Sequence, residues 1–240
     1  MRPFERFGLD HALGIVFVVL VGWGIQRLGR ARPRAVEILL GLSLVAYIIE
    51  AYRARWDYLS WDTALPLHLC DVLLLLAIGL LIKPPLAQEP QRSLLFDLIF
   101  FGAWGGSVWA FITPDLYVGF PNWRYFEFFF GHGLIFWLLG HFYWNRSCRI
   151  WPGAALRAWL WLWGYTLVVG GLDFIFGWNY GYLREKPGAG SVLDAFGPWP
   201  LYILVSVMIV GVIFKGMELA VGVRPAKAES MDPSWTPPHS

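Results

Sequence analysis

Leu65-Pro66-Leu67-His68-Leu69-Cys70-Asp71-Val72-Leu73-Leu74-Leu75-Leu76-Ala77-Ile78 decides how this chain is read. The second half of that stretch is unbroken hydrocarbon, and the first half sets an imidazole, a thiol and a carboxylate at its end. Pro66 suits the first position of a helix, where the amide hydrogen it lacks has no partner anyway. The stretch therefore predicts a hydrophobic helix that starts near residue 65 with a polar cluster in its first turns.

Composition extends that reading to the whole chain. Of 240 residues, 57% are hydrophobic, 18% aromatic and only 15% charged, which predicts an integral membrane protein. Fifteen tryptophans and ten tyrosines fit this class, because their rings favour the two membrane interfaces. A net charge of +2 is too small to point to nucleic acid, so membrane lipids are the expected partners. No cofactor is expected.

Apolar runs of the length a bilayer requires, about 20 residues each, fall at roughly 9–28, 34–52, 65–82, 94–112, 125–145, 154–176 and 199–220. The expected fold is all-α: a polytopic bundle of seven transmembrane helices over residues 1–221, followed by a Pro-rich, disordered cytoplasmic tail at 222–240. The first run has no A-x-A-like cleavage site and is read as an uncleaved helix. Alternate loops then sort the cations. Arg27, Arg30, Arg32, Arg34, Lys83, Arg92, Arg146, Arg149, Arg157, Lys215, Arg224 and Lys227 fall on one side, against Arg2, Arg6, Arg53, Arg55, Arg124, Arg184 and Lys186 on the other. Twelve against seven predicts a cell-membrane protein with its N-terminus outside and its C-terminus cytoplasmic. Cys70 and Cys148 then lie on opposite sides and stay free thiols.

The same topology brings polar groups from separate segments to the outer face. Cys70 lies roughly 8 Å below the start of the third run and His132, in Gly131-His132-Gly133, roughly 11 Å below that of the fifth. Asp173, Thr113-Pro114-Asp115, Asn179-Tyr180 and Gly197-Pro198-Trp199-Pro200 belong to the same level. Ionisable residues inside a membrane usually face the bundle interior or a water-filled cavity, so an outward-facing polar pocket is expected. On a helix, His68 and Asp71 share a face while Cys70 points away, which leaves His132 as the better partner for the thiol. The glycines beside His132 would admit a neighbouring helix. Asp97, His141, Asn145 and Lys215 lie near the other helix ends, where snorkelling accounts for them. The aromatic runs Trp159–Trp163 and Phe126–Phe130 read as lipid contacts.

The candidate site is thus Cys70, His132, Asp71 and Asp173 for chemistry, with His68, Thr113, Asp115, Asn179, Tyr180 and Trp199 for binding. A buried cysteine can equally be a small apolar residue, and Asp173 can equally brace a partner. From these motifs the chain resembles the YwaF-like family of seven-helix integral membrane proteins, over nearly its whole length to about residue 220. That resemblance implies a fold without naming a reaction. More distantly it is similar to transmembrane protein 164, for which a cysteine- and histidine-dependent acyl transfer to phospholipids has been proposed. This second likeness implies Cys70 as nucleophile and His132 as base; in such a reaction Asp71 or Asp173 would orient the imidazole. The oxyanion would be met by Asn179 or by amides at the start of the third helix.

Two other readings compete with an acyltransferase. His11, His68, His132, Asp71 and Asp173 could supply ligands for a metal-dependent membrane hydrolase, although no H-E-x-x-H spacing is present. A non-catalytic protein that binds a lipid or small molecule would show the same polar focus. Lys215, near the end of the last helix, is out of place for a retinal Schiff base.

Overall fold

The computed structural model of the protein describes residues 3–53, 56, 59–84, 92–188 and 190–222. Among them the regular structure is helical throughout. The helices are α1 (Leu9–Ala31), α2 (Pro33–Arg53), a single turn α3 (Trp61–Ala64), α4 (Leu69–Ile82), α5 (Leu94–Gly102), α6 (Val108–Ile112), α7 (Trp123–Asn145), α8 (Ala154–Phe176) and α9 (Leu201–Val221). A π turn, Ala103–Ser107, joins α5 to α6 in one rod, and short 3-10 turns at Tyr180–Tyr182 and Val192–Phe196 lie between α8 and α9. The expected tail from residue 223 on, together with Arg2, Arg55, Arg224 and Lys227, falls outside the described residues.

The protein is a polytopic all-α membrane protein. Five rods are long and apolar enough to cross a bilayer: α1, α2, Leu94–Ile112, α8 and α9. The two remaining runs of the expected seven fall short for different reasons. α7 has the length, 23 residues, but its Arg124, Glu127, His132, His141 and Asn145 dilute its apolar character. α4 is apolar but has only 14 residues, about 21 Å of helix against a hydrocarbon core of about 30 Å.

α4 is short because the helix expected from residue 65 starts at Leu69, with His68 as its N-cap. Pro66 lies ahead of it in a tight turn, where the Leu67 N–H reaches back to the Leu65 carbonyl (2.8 Å). Broken backbone inside a bundle must find its hydrogen bonds elsewhere, and here aromatic hydroxyls supply them. The Tyr52 hydroxyl donates to Ala64 O (2.6 Å), Tyr165 to Leu67 O (2.8 Å) and Tyr180 to Trp61 O (2.6 Å), while Tyr180 also accepts from the Leu65 N–H (3.0 Å). Residues 59–68 are therefore a stabilised descent that sets the N-terminus of α4 within the bundle.

At the end of the bundle where that descent begins, the N-terminal segment and two long loops interlock. Arg6 donates to Pro114 O (3.3 Å) and Gly190 O (2.8 Å), the Phe4 N–H to Tyr117 O (3.2 Å), and the Tyr202 hydroxyl to Tyr182 O (2.6 Å). The opposite end is closed by buried charge. Glu37 of α2 faces Arg146 and the fully buried His141 of α7, and Asn145 donates to Gln26 of α1 (3.0 Å). Arg157 pairs with the fully buried Asp97 (2.9 Å), and Glu218 caps α8 by accepting from the Ala155 N–H (3.1 Å).

Snorkelling thus fails to account for His141 and Asp97, which tie helices together rather than reach for water. Nor are the aromatic runs purely lipid contacts. Trp159 donates its indole N–H to Val207 O (2.9 Å), and Phe129 is 1% exposed against the Tyr125 and Phe111 rings.

Candidate functional site

Three rods meet at the Cys70 sulfur. His132 Nε2, from α7, lies 3.3 Å away, and Ser107 Oγ, from the π turn, lies 3.4 Å away. Both are within reach of a hydrogen bond to sulfur. The other imidazole nitrogen, Nδ1, is 2.8 Å from the Phe128 carbonyl one turn back. A carbonyl can only accept, so Nδ1 must carry the hydrogen, and in the neutral ring Nε2 then presents a lone pair to the thiol. The imidazole is held in the tautomer that can take a proton from Cys70.

Each partner is placed by local sequence. His132 is the tenth residue of α7, about 13 Å along the helix, which matches the depth that α4 gains by starting late. Gly131 gives the close approach expected of it, since a methyl there would lie 2.5 Å from the Tyr47 hydroxyl of α2. Ser107 closes a turn in which the Val108 N–H reaches back five residues to Ala103 O. Gly106 in that turn lets Leu69 of α4 pack within 2.7 Å of where a Cβ would sit. Such π turns are often found at functional sites because they re-aim the residues that close them.

Cys70 is the second residue of α4, so its N–H and that of Leu69 have no carbonyl one turn back within the helix. Those amides carry the partial positive charge of a helix N-terminus. Cys70 and His132 are half-buried, whereas Ser107 has no exposed surface. They meet in direct contact. One cavity adjoins α4 at Leu69 and another lies at the end of α8. The first is an apolar void of about 10 Å³ bordered by Leu69, Gly105, Ala158 and Phe214, and the second an open groove of about 310 Å³ bordered by Phe174, Arg184, Glu185 and Trp199.

The other residues expected at the site lie around it. Asp71 follows Cys70 in the first turn of α4. Asp173 is fully buried and accepts from the Tyr180 N–H (3.0 Å), so it braces the loop after α8; the Phe128 carbonyl, and not Asp173, is what the His132 ring leans on. His68 Nδ1 accepts from the Gly181 N–H (3.2 Å), with the Tyr180 and Tyr182 rings against it. Thr113 bonds back to Trp109 O (3.2 Å) and Asp115 accepts from the Tyr182 hydroxyl (2.8 Å). Burial pushes that hydroxyl above its ordinary range and the adjacent Asp115 carboxylate adds to the effect, so Tyr182 stays a donor.

Asn179 gathers its own loop, accepting from the Arg184 and Glu185 N–H groups (3.1 and 2.9 Å) and donating to Glu185 O (3.0 Å). The Trp199 indole donates to Leu183 O (3.1 Å). These residues build the cap over the site. Sequence reasoning missed Ser107, Tyr165 and the Phe128 carbonyl; Gly105-Gly106 before Ser107, inside an apolar run, was the one legible signal. Of the proposed metal ligands, His11 is occupied by the Phe7 N–H (3.0 Å) and the Phe111 carbonyl (2.7 Å). Among the described residues no three His, Cys, Asp or Glu side chains gather as a metal site would need.

Fold and site together define a multi-pass membrane protein with a thiol and an imidazole paired inside its helices. The model of the TMEM164 family matches residues 6–217, and the chain belongs to that family. No curated protein and no solved structure matches it.

Proposed function

We propose that the protein transfers acyl groups between membrane lipids, with Cys70 as nucleophile and His132 as general base. The single observation that carries this reading is the 3.3 Å approach of Nε2 to the sulfur, with Nδ1 held by a carbonyl. In the first half-reaction the thiol proton passes to Nε2 as the sulfur attacks an ester carbonyl carbon. The resulting oxyanion collapses to a thioester, and the departing lipid alkoxide takes the proton back from His132. In the second half, Nε2 removes the proton of an acceptor hydroxyl as its oxygen attacks the thioester carbon, the C–S bond breaks, and the imidazolium returns that proton to the departing sulfur.

The Leu69 and Cys70 amides at the head of α4 are the donors available to the oxyanion. Asp71, the next residue of α4, keeps a carboxyl group beside the pair. The cation count supports a cell-membrane orientation with the site end outside and the tail in the cytoplasm. Purified protein offered phospholipid with a labelled acyl chain tests the reading. Cys70→Ser and His132→Ala should each lower transfer by at least two orders of magnitude, about the share a positioned base or nucleophile supplies. Transfer at the parental rate in both variants would exclude the thiol mechanism; binding without turnover in the parent protein would favour the non-catalytic reading.

A further inference from the structure

We propose that Ser107 is a third catalytic group of this site, its hydroxyl donating a hydrogen bond to the Cys70 sulfur once His132 has taken the thiol proton. The purpose of this contact rests on the acyl-transfer reading, but its geometry does not. Ser107 is fully buried, and the one hydrogen-bond partner found for its hydroxyl among the described residues is the sulfur, 3.4 Å away. A buried hydroxyl without a good partner is costly, and a thiol is a weak acceptor whereas a thiolate is a strong one. The hydroxyl is therefore satisfied better after proton transfer than before it. An interaction that strengthens along the reaction lowers the barrier, where one that binds both states equally does not.

The proton balance is closed. The hydrogen of the thiol moves to Nε2, which has a free lone pair because Nδ1 is protonated toward Phe128 O. Ser107 keeps its own hydrogen and only turns it toward the charged sulfur. Sulfur then accepts from two directions, with imidazolium on the α7 side and hydroxyl on the side of the π turn. The wide turn and Gly106 serve this placement, since a Cβ at 106 would lie 2.7 Å from Leu69 Cδ2 and push that side chain aside.

The test is the rate of Cys70 alkylation by iodoacetamide as a function of pH, measured by peptide mass spectrometry on the full-length protein in detergent without lipid. The other titratable groups facing the sulfur are His132 on α7, Asp71 on α4 itself, Tyr165 on α8 and Tyr182 in the cap. All four are common to parent and variant, so the comparison isolates the hydroxyl. In Ser107→Ala the rate at neutral pH should fall about tenfold and rejoin the parent at high pH, as expected for the loss of one hydrogen bond to the charged form. Ser107→Thr and Ser107→Val are nearly isosteric and control for packing: threonine should follow the parent and valine the alanine variant.

Superimposable profiles for parent and alanine variant, or threonine and valine shifted alike, would overturn the proposal. The acyl-transfer reading fails separately. If the profiles shift as expected while Cys70→Ser still turns over lipid, the contact stands and the lipid chemistry falls; if Cys70 is needed for turnover and the profiles do not move, only Ser107 loses its role.

Discussion

Replacing Tyr180 with phenylalanine removes one oxygen and should disturb the site from a distance. That hydroxyl donates to Trp61 O at 2.6 Å and accepts from the Leu65 N–H at 3.0 Å, and the residue is 0% exposed. The phenylalanine ring would keep the packing against His68 but strand a carbonyl and an amide. Both contacts are only part-buried, so each is worth about an ordinary hydrogen bond, about 0.5–1.5 kcal/mol, and the two together roughly 2 kcal/mol. For a chain of this length that corresponds to a fall in melting temperature of about 4–8 °C.

Tyr202→Phe is the internal standard, because its hydroxyl makes one such bond, to Tyr182 O; it should cost about half as much. Thermal unfolding in detergent, followed by tryptophan fluorescence, measures both. Since Leu65 lies five residues before Cys70, Tyr180→Phe should also slow Cys70 alkylation well below the temperature at which the bundle melts. A variant melting within about 2 °C of the parent, or a Tyr202 variant equally damaged, would refute the claim that aromatic hydroxyls hold the broken segment in place.

Two further outcomes are expected. Glu37→Ala leaves Arg146, whose side chain is 10% exposed, and the buried His141 without their shared carboxylate; breaking such a buried pair should cost about 3–5 kcal/mol, read as the largest melting shift of any single substitution at that end of the bundle. Cys148 should resist thiol reagents, because burial pushes its thiol from 9.0 up to about 12. Below pH 9 its protonated state is common to folded and unfolded chains. Above it the unfolded chain loses the proton first, so stability should decline as pH rises from 9 toward 12. Alkylation of Cys148 at neutral pH at the rate of Cys70 would contradict this.

How much of this was legible beforehand follows from the reach of each signal. Hydrocarbon continuity is a local property, so the rods and their order could be read from the apolar runs. Cys70 does meet His132 as expected, although the helical rise and angle behind that expectation do not apply before Leu69, where His68 is an extended N-cap. The start of α4 was not legible. Pro66 and the apolar run favour a helix from residue 65, and only tyrosines arriving from α2, α8 and the loop after α8 make an unwound segment affordable there. Ser107 was hidden for a related reason: the 100° per residue of a regular helix does not apply across a π turn, so periodicity misplaces whatever closes it.

By itself, then, the sequence determined that this is a bundle of membrane helices, because transfer of hydrocarbon out of water depends on composition and needs no knowledge of neighbours. Only the tertiary structure decided which nitrogen meets the sulfur, that a serine completes the contact, and that Asp173 and Tyr180 hold the cap. Those are hydrogen bonds between residues up to 119 positions apart, and their existence depends on angles and distances of a few ångströms that no local pattern encodes.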